Sequence, residues 1–315
     1  MPAGRHWACK CVLDIFIDMK KLTRLDSLKI TVLAEDSVLY ESPYLGQHGV
    51  SFLLEGVSGK KRKNILVDVG QNSEALLHNM KIMGISPSII DAVVLTHCHY
   101  DHTQGITNMV RQIGKKDLPV IAHTDIFRLH FITEPYHRLV GIMPGDSRDE
   151  IEKAGGNLSL SKEPLMIMPG IMTTGEVPRR DDFGKVALAL KTIENGKIID
   201  DLMLDDTSII ANIKDKGLAI ITGCSHAGII NIVNYAKELT GVSKIEAIIG
   251  GLHLVDAADD VISRTVKELD AMNVSWISAG HCTGFKAQVK LYSSFGERFS
   301  PLHTGMEFKL PLTEP

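Results

Sequence analysis

The sequence predicts an α/β fold, on three observations. Short apolar, β-branched runs alternate with stretches of helical period, the pattern of strands interleaved with helices. Several of these runs end in loops containing glycine. Histidine recurs at those ends, as His226, His253 and His281, and one such end holds His97, His99, Asp101 and His102 within six residues.

The first strand is Leu28 to Leu33, preceded by residues 1–27 as an N-terminal extension. Cys9-Lys10-Cys11 and the acidic stretch after it are too short and too charged for a signal peptide, and an isolated C-x-C is weak as a metal site. Met19 is a plausible alternative start. The turn-rich Ser42 to Gly49 leads into a strand at Val50 to Leu54, and Ile65 to Gly70 forms the next. Ser73 to Met83 reads as a helix with Ser73 near its N-cap, stopping at Gly84. Asp91 to Thr96 is a buried strand that runs directly into the histidine cluster.

Residues 28–315 read as a single domain with an inserted cap at about 124–182, where the apolar period is lost. Within it, Gly170 to Arg180 reads as a strand returning to the core and then a polar turn. Beyond the cap, Ser208 to Ile213 and Leu218 to Thr222 are strands, and His226 to Leu239 is a helix. Ala247 to Ile249 is a strand, Val261 to Met272 a helix, Ser275 to Ser278 a strand, Phe285 to Phe295 a helix and Glu307 to Leu310 a final strand.

Composition bounds the partners. Hydrophobic residues at 44% and charged residues at 23% over 315 positions describe an ordinary globular protein with a sizeable core. A formal net charge of −4 gives no electrostatic attraction to nucleic acid or an anionic membrane. No apolar run reaches the ~20 residues of a membrane span. Of five cysteines, Cys98, Cys224 and Cys282 each lie beside a candidate ligand histidine, which is no secreted disulfide framework and points to a reducing cytoplasm. The oligomeric state is not legible.

The chemistry concentrates in Thr96-His97-Cys98-His99-Tyr100-Asp101-His102. Side chains alternate along a strand, so an extended backbone turns His97 and His99 to the same side. Asp101 and His102 then return to the same point from a loop or first helical turn. Imidazole and carboxylate suit Zn, Mn or Fe. Three further histidines, in Gly223-Cys224-Ser225-His226, Gly250-Gly251-Leu252-His253 and Gly280-His281-Cys282, sit at later strand ends. Asp68, at the end of its strand, is better placed to orient a ligand histidine than to bind directly. His48 overhangs the site from its Gly-rich loop. Glu176, Arg179 and Arg180 bring two guanidinium groups suited to phosphate.

T-H-x-H-x-D-H after a buried strand resembles the signature of the metallo-β-lactamase superfamily. The resemblance implies an αβ/βα four-layer sandwich with two divalent transition-metal ions, zinc first and Mn or Fe alternatives, at one edge of the sheets. It maps His281 onto the last metal histidine, with His97, His99 and His226 around one ion and Asp101, His102 and His281 around the other. The sequence departs from the common pattern: it has no G-H-T, and its only Gly-Asp pair, Gly145-Asp146, falls in the expected cap. Thr222-Gly223-Cys224-Ser225-His226 stands instead where the bridging aspartate usually lies. Cys224 and His226 are alternative ligands there, with His226 preferred because neutral imidazole is the commoner ligand. Gln47-His48-Gly49-Val50-Ser51, T-T-G-E-V-P-R, T-G-C-S-H-A-G-I, G-G-L-H-L and G-H-C-T-G together are similar to one branch, described as metal-dependent hydrolases. That branch includes a methanopterin-pathway transferase that joins a dihydropterin-methyl diphosphate to ribofuranosylaminobenzene 5′-phosphate. The resemblance implies an enzyme with Asp101 in the catalytic site and a phosphorylated small-molecule substrate. A hydrolase of phosphate or cyclic esters and a non-catalytic metal-binding sensor are the alternatives.

Overall fold

The computed structural model describes residues 22–180, 183 and 190–311, so Cys9, Cys11, Met19 and the far end of the expected cap lie outside the described residues. β1 (Ser27–Ala34), β2 (Ser51–Ser58) and β3 (Lys61–Val67) form an antiparallel meander. α1 (Ser73–Ile82) crosses to β4 (Ala92–Val94), and α2 (Tyr100–Thr103) and α3 (Ile106–Ile113) cross to β5 (Leu118–Ala122), both strands parallel to β3. β6 (His130–Ile132) and β7 (Arg138–Leu139) make a short hairpin. α4 (Arg148–Lys153) leads to β8 (Gly156–Leu160), followed by β9 (Met166–Met168), β10 (Ile171–Thr173) and a second hairpin of β11 (Leu190–Glu194) and β12 (Lys197–Asp200). The chain continues through β13 (Ile209–Ile213), β14 (Gly217–Thr222), α5 (Ile229–Thr240), β15 (Ile245–Gly251), α6 (Asp259–Ala271) and β16 (Trp276–Gly280). It ends with α7 (Phe285–Phe295), β17 (Phe299–Pro301) and β18 (Glu307–Leu310).

Two seven-stranded sheets result, ordered β18-β1-β2-β3-β4-β5-β8 and β17-β16-β15-β14-β13-β10-β9. Strand alternation explains how they stack. Ile30, Phe52, Leu54, Ile65 and Val67 of the first sheet meet Ile209, Ala219, Ile221, Ala247 and Ile249 of the second in a shared core. The intervening Leu53 and Leu66 turn the other way, onto α1 and α3 with Leu76, Met80 and Val110. Ile220 and Ile248 likewise turn outward onto α5, α6 and α7. Strands buried on both faces read as continuous apolar runs, which is why the sequence signal for them was strong. The architecture is the expected αβ/βα four-layer sandwich.

Three expectations change. Leu22 and Leu25 are buried, and Leu25 exchanges backbone hydrogen bonds with Asn212 and Lys214, so the core takes in residues before the expected boundary at 28. Asn72 rather than Ser73 caps α1, its Oδ1 accepting from Glu74 N and Ala75 N. The segment 124–182 divides between layers: β8 joins the first sheet, β9 and β10 join the second, and β6 and β7 stand outside both. With β11 and β12 they form a separate four-stranded sheet. Strands of two to five residues leave too few alternations to register as a period, which is why this stretch read as irregular.

Candidate metal centre

The parallel strands present their carboxyl ends to one edge of the sandwich, the usual location of sites in such sheets. Asp68 directly follows β3, Thr96 and His97 follow β4, the Gly223–His226 loop follows β14, and His253 and His281 follow β15 and β16. Asp68, Ser225, His253 and His281 all adopt positive φ, between 47° and 67°, which is uncommon for non-glycine residues and frequent at functional sites. Packing explains Gly223: a Cβ there would lie 2.2 Å from Thr96 Oγ1 and 2.9 Å from Asp68 Oδ2. Gly49 is equally constrained, since its Cβ would fall 1.7 Å from the Asp101 carbonyl oxygen.

Hydrogen bonds set the direction in which each imidazole faces. Asp68 accepts from Thr96 N and from Thr96 Oγ1, both at 2.7 Å. The Thr96 hydroxyl, its proton already given to Asp68, accepts from His97 Nδ1 at 3.0 Å, which leaves the lone pair on His97 Nε2. His102 Nδ1 donates to Asp68 Oδ2 at 2.7 Å, so its Nε2 faces the cluster. His281 Nδ1 lies 2.9 Å from Asp36 Oδ1, and its Nε2 lies 3.2 Å from Asp101 Oδ2.

Two groups of ligand atoms result, each within 4.8 Å of one another: His97, His99 and His226 in one, and Asp101, His102, Cys224 and His281 in the other. The His97 and His102 ring centroids, one from each group, are 4.1 Å apart. Cys224 and His226, treated as alternatives from the sequence, fall in different groups, with Cys224 Sγ 3.1 Å from His102 Nε2. The His253 ring centroid lies 4.0 Å from that of His226, tilted by 49°, and His253 can join Cys224 and Cys282 in a further group. His48 lies 3.3 Å from Asp36 and 3.5 Å from Asp101.

The residues fit divalent cations. His226 is buried and neither of its ring nitrogens has a hydrogen-bond partner, a costly arrangement unless another acceptor of the lone pair is present. Burial and neighbouring histidines push His97, His99 and His226 well below their ordinary values, which keeps them neutral with lone pairs available. At His102 burial acts downward, but Asp101 and Asp68 outweigh it and raise the ring to about 9. That is the field of a pocket with carboxylate charge to neutralise. N, O and S donors in this mixture suit Zn, Mn or Fe.

Above the groups lies a cavity of about 410 Å³. His48, His99, Asp101, His226 and His281 line its floor, and Ile132, Val140, Leu190 and Val255 its apolar walls. Arg138 is the one lysine or arginine among its described lining residues, and its guanidinium lies 5.4 Å from the Tyr100 ring centroid. Glu176, Arg179 and Arg180 do not line it. Glu176 approaches His123 at 3.5 Å, Arg179 donates to the Met203 carbonyl, and exposed Arg180 forms a two-pronged pair with Glu238 of α5. Gly145-Asp146 has a structural use, since both Asp146 oxygens accept from Gly105 N and Thr107 N at the start of α3. Sequence reasoning missed Glu35 and Asp36, whose carboxylates hold the His281 backbone N–H and ring. A carboxylate pair at the end of an apolar strand was the available signal. His130 gave none, being one histidine in an apolar run.

Residues 63–156 match the family described as a beta-lactamase superfamily domain. Together with the sandwich and a relative matched along nearly its full length, this places the chain in the metallo-β-lactamase superfamily, to which it belongs. That relative, from Methanocaldococcus jannaschii, is the 7,8-dihydropterin-6-methyl-4-(β-D-ribofuranosyl)-aminobenzene-5′-phosphate synthase. It is 40% identical over 294 residues, covering 92% of this chain and 99% of the relative. Among solved structures, Tm1679, a metal-dependent hydrolase of the β-lactamase superfamily, aligns with a TM-score of 0.74 at 25% identity, over 89% of this chain and 98% of that one. YhfI from Bacillus subtilis, a metallo-β-lactamase fold protein, aligns with a TM-score of 0.53 at 15% identity, over 90% of this chain and 99% of that one.

Proposed function

We propose that the protein is a metal-dependent transferase that joins a dihydropterin-methyl diphosphate to ribofuranosylaminobenzene 5′-phosphate with release of diphosphate. The observation that carries this reading is the 40% identity to the synthase over 92% of the chain. The site would hold two divalent transition-metal ions, zinc first, one on His97, His99 and His226 and the other on Asp101, His102 and His281 with Cys224 beside them. When bound, such ions supply Lewis-acid stabilisation of the charge that develops on the departing diphosphate.

The chain's own residues account for the rest. Asp68 and Thr96 orient the His97 and His102 rings. Arg138 offers its charge to a substrate phosphate at the cavity wall. In the reaction the amine nitrogen bonds to the pterin methylene carbon, and the carbon–oxygen bond to diphosphate breaks with its electron pair on oxygen. The proton shed by nitrogen passes to His48 Nε2, which lines the cavity 3.5 Å from Asp101 Oδ2, the carboxylate that balances the resulting charge. Ile132, Val140, Leu190 and Val255 limit water, the competing nucleophile for the activated carbon. The reaction belongs in the cytoplasm, and no helix among the described residues is long and apolar enough to cross a membrane. The resemblance to a metal-dependent hydrolase at 25% identity favours hydrolysis of a phosphate ester as the second reading.

Metal-loaded protein incubated with dihydropterin-methyl diphosphate, with and without the ribosylated arylamine phosphate, separates the two. Coupled product that appears only with the amine is expected. Release of free pterin alcohol regardless of the amine would mean hydrolysis, and consumption of neither compound would remove the pterin assignment.

A further inference from the structure

We propose that His130 and Asp201 form a positioning relay that fixes which nitrogen His99 presents to a metal ion, an inference resting on the two-ion reading above. His99 Nε2 lies 2.9 Å from His130 Nε2, and His130 Nδ1 lies 2.7 Å from Asp201 Oδ2. All three side chains are buried, with His130 1% exposed. A carboxylate only accepts, so His130 donates through Nδ1 and, as a neutral ring, carries its lone pair on Nε2. His99 must then donate through Nε2, and its own lone pair is left on Nδ1. That is the atom 3.1 Å from His97 Nε2, inside the first ligand group. In the other neutral tautomer of His99, two lone pairs would face each other across the His99–His130 contact, and the lone pair of His99 would point away from the group.

Arg128 anchors the relay. Its Nε and Nη2 hold the two Asp201 oxygens at 2.5 and 3.0 Å, and its Nη1 reaches Asp205 Oδ2 at 2.8 Å. The same Asp205 oxygen accepts the Cys98 backbone N–H at 2.7 Å. One guanidinium therefore ties down both the His99 ring and the backbone just before it. His130 lies on β6, while Asp201 directly follows β12, so the contacts come from the four-stranded sheet outside the core layers. That sheet also supplies Ile132, Arg138 and Leu190 to the cavity wall. The element that walls the cavity thus also orients a residue on its floor.

Co²⁺ binding to the full chain tests the relay without substrate. His130→Phe keeps a ring of similar bulk and removes both nitrogens, whereas His130→Gln restores an acceptor toward His99 Nε2. Competition with a chromophoric chelator should show one of two Co²⁺ ions bound about 10–100-fold more weakly in the Phe variant, with an altered visible absorption spectrum. The Gln variant should recover most of the affinity and the parent spectrum. Melting of the chelator-treated proteins checks that both variants fold. Parent-like affinity and spectrum in His130→Phe would overturn the relay while leaving the two-ion reading intact. So would a Gln variant no better than Phe, which would assign the loss to packing. A parent protein that takes up no Co²⁺ would bring down both.

Discussion

Asp201 serves the relay and also closes a buried ion pair, and the second role can be read by itself in metal-free protein. Burial alone would raise its carboxyl; hydrogen bonds from His130 and Arg128 outweigh that and hold it well below the usual carboxylate range. Arg128 is shifted upward in step. The folded value lies below the unfolded value of about 3.9, so the pair's contribution is complete above about pH 4 and is lost as pH falls through the folded value. Asp201→Asn leaves Arg128 short of a partner and is expected to cost ~3 kcal/mol at pH 7 in chelator-treated protein. Urea melts at pH 7 and at pH 3 should show the gap between variant and parent narrowing at the lower pH. A gap that stays constant would mean that Asp201 contributes through its shape and not its charge. At this scale the sequence marked His97, His99, Asp101, His102, His226 and His281 as candidate ligands because they sit in dense motifs or beside glycines at strand ends. It hid Asp36, Arg128, His130 and Asp201, whose partners lie as far as 245 residues away in the chain. It misplaced Arg179 and Arg180, because adjacent arginines say nothing about which one finds a carboxylate or carbonyl nearby.

Among the elements, the segment just before β1 has the clearest energetic consequence. Leu25 is fully buried in the core shared by the two sheets, and Asn212 Nδ2 donates to the Leu22 carbonyl at 2.8 Å. Removing the residues before Met19 should leave folding and metal content unchanged. Extending the deletion through Asp26 strips out Leu22 and Leu25 and should cost about 2–5 kcal/mol in chemical unfolding. Equal stability of the two truncations would show that these leucines do not support the core. Doubly buried strands such as β2 and β14 were visible as apolar runs, and α6 and α7 as periodic stretches with defined ends. The hairpin of β11 and β12 was not, because its outward residues, including Ile193 and Ile198, are exposed and the pattern does not alternate against a core.

For the molecule as a whole, two half-sandwiches meet along one core, and the edge where their strand ends converge assembles candidate ligands from both. His97 to His102 come from the first sheet; Cys224, His226 and His281 come from the second. The motif alone announces the first half of that centre. Which later histidine joins which group depends on how the sheets stack, and only the structure separates Cys224 from His226. The central claim is that this convergence holds two ions, and elemental analysis of protein purified without added metal tests it most directly. Close to two transition-metal ions per chain are expected, falling to about one in His97→Ala. Protein that is fully active with no bound metal, or a His97→Ala variant with unchanged metal content, would contradict the account.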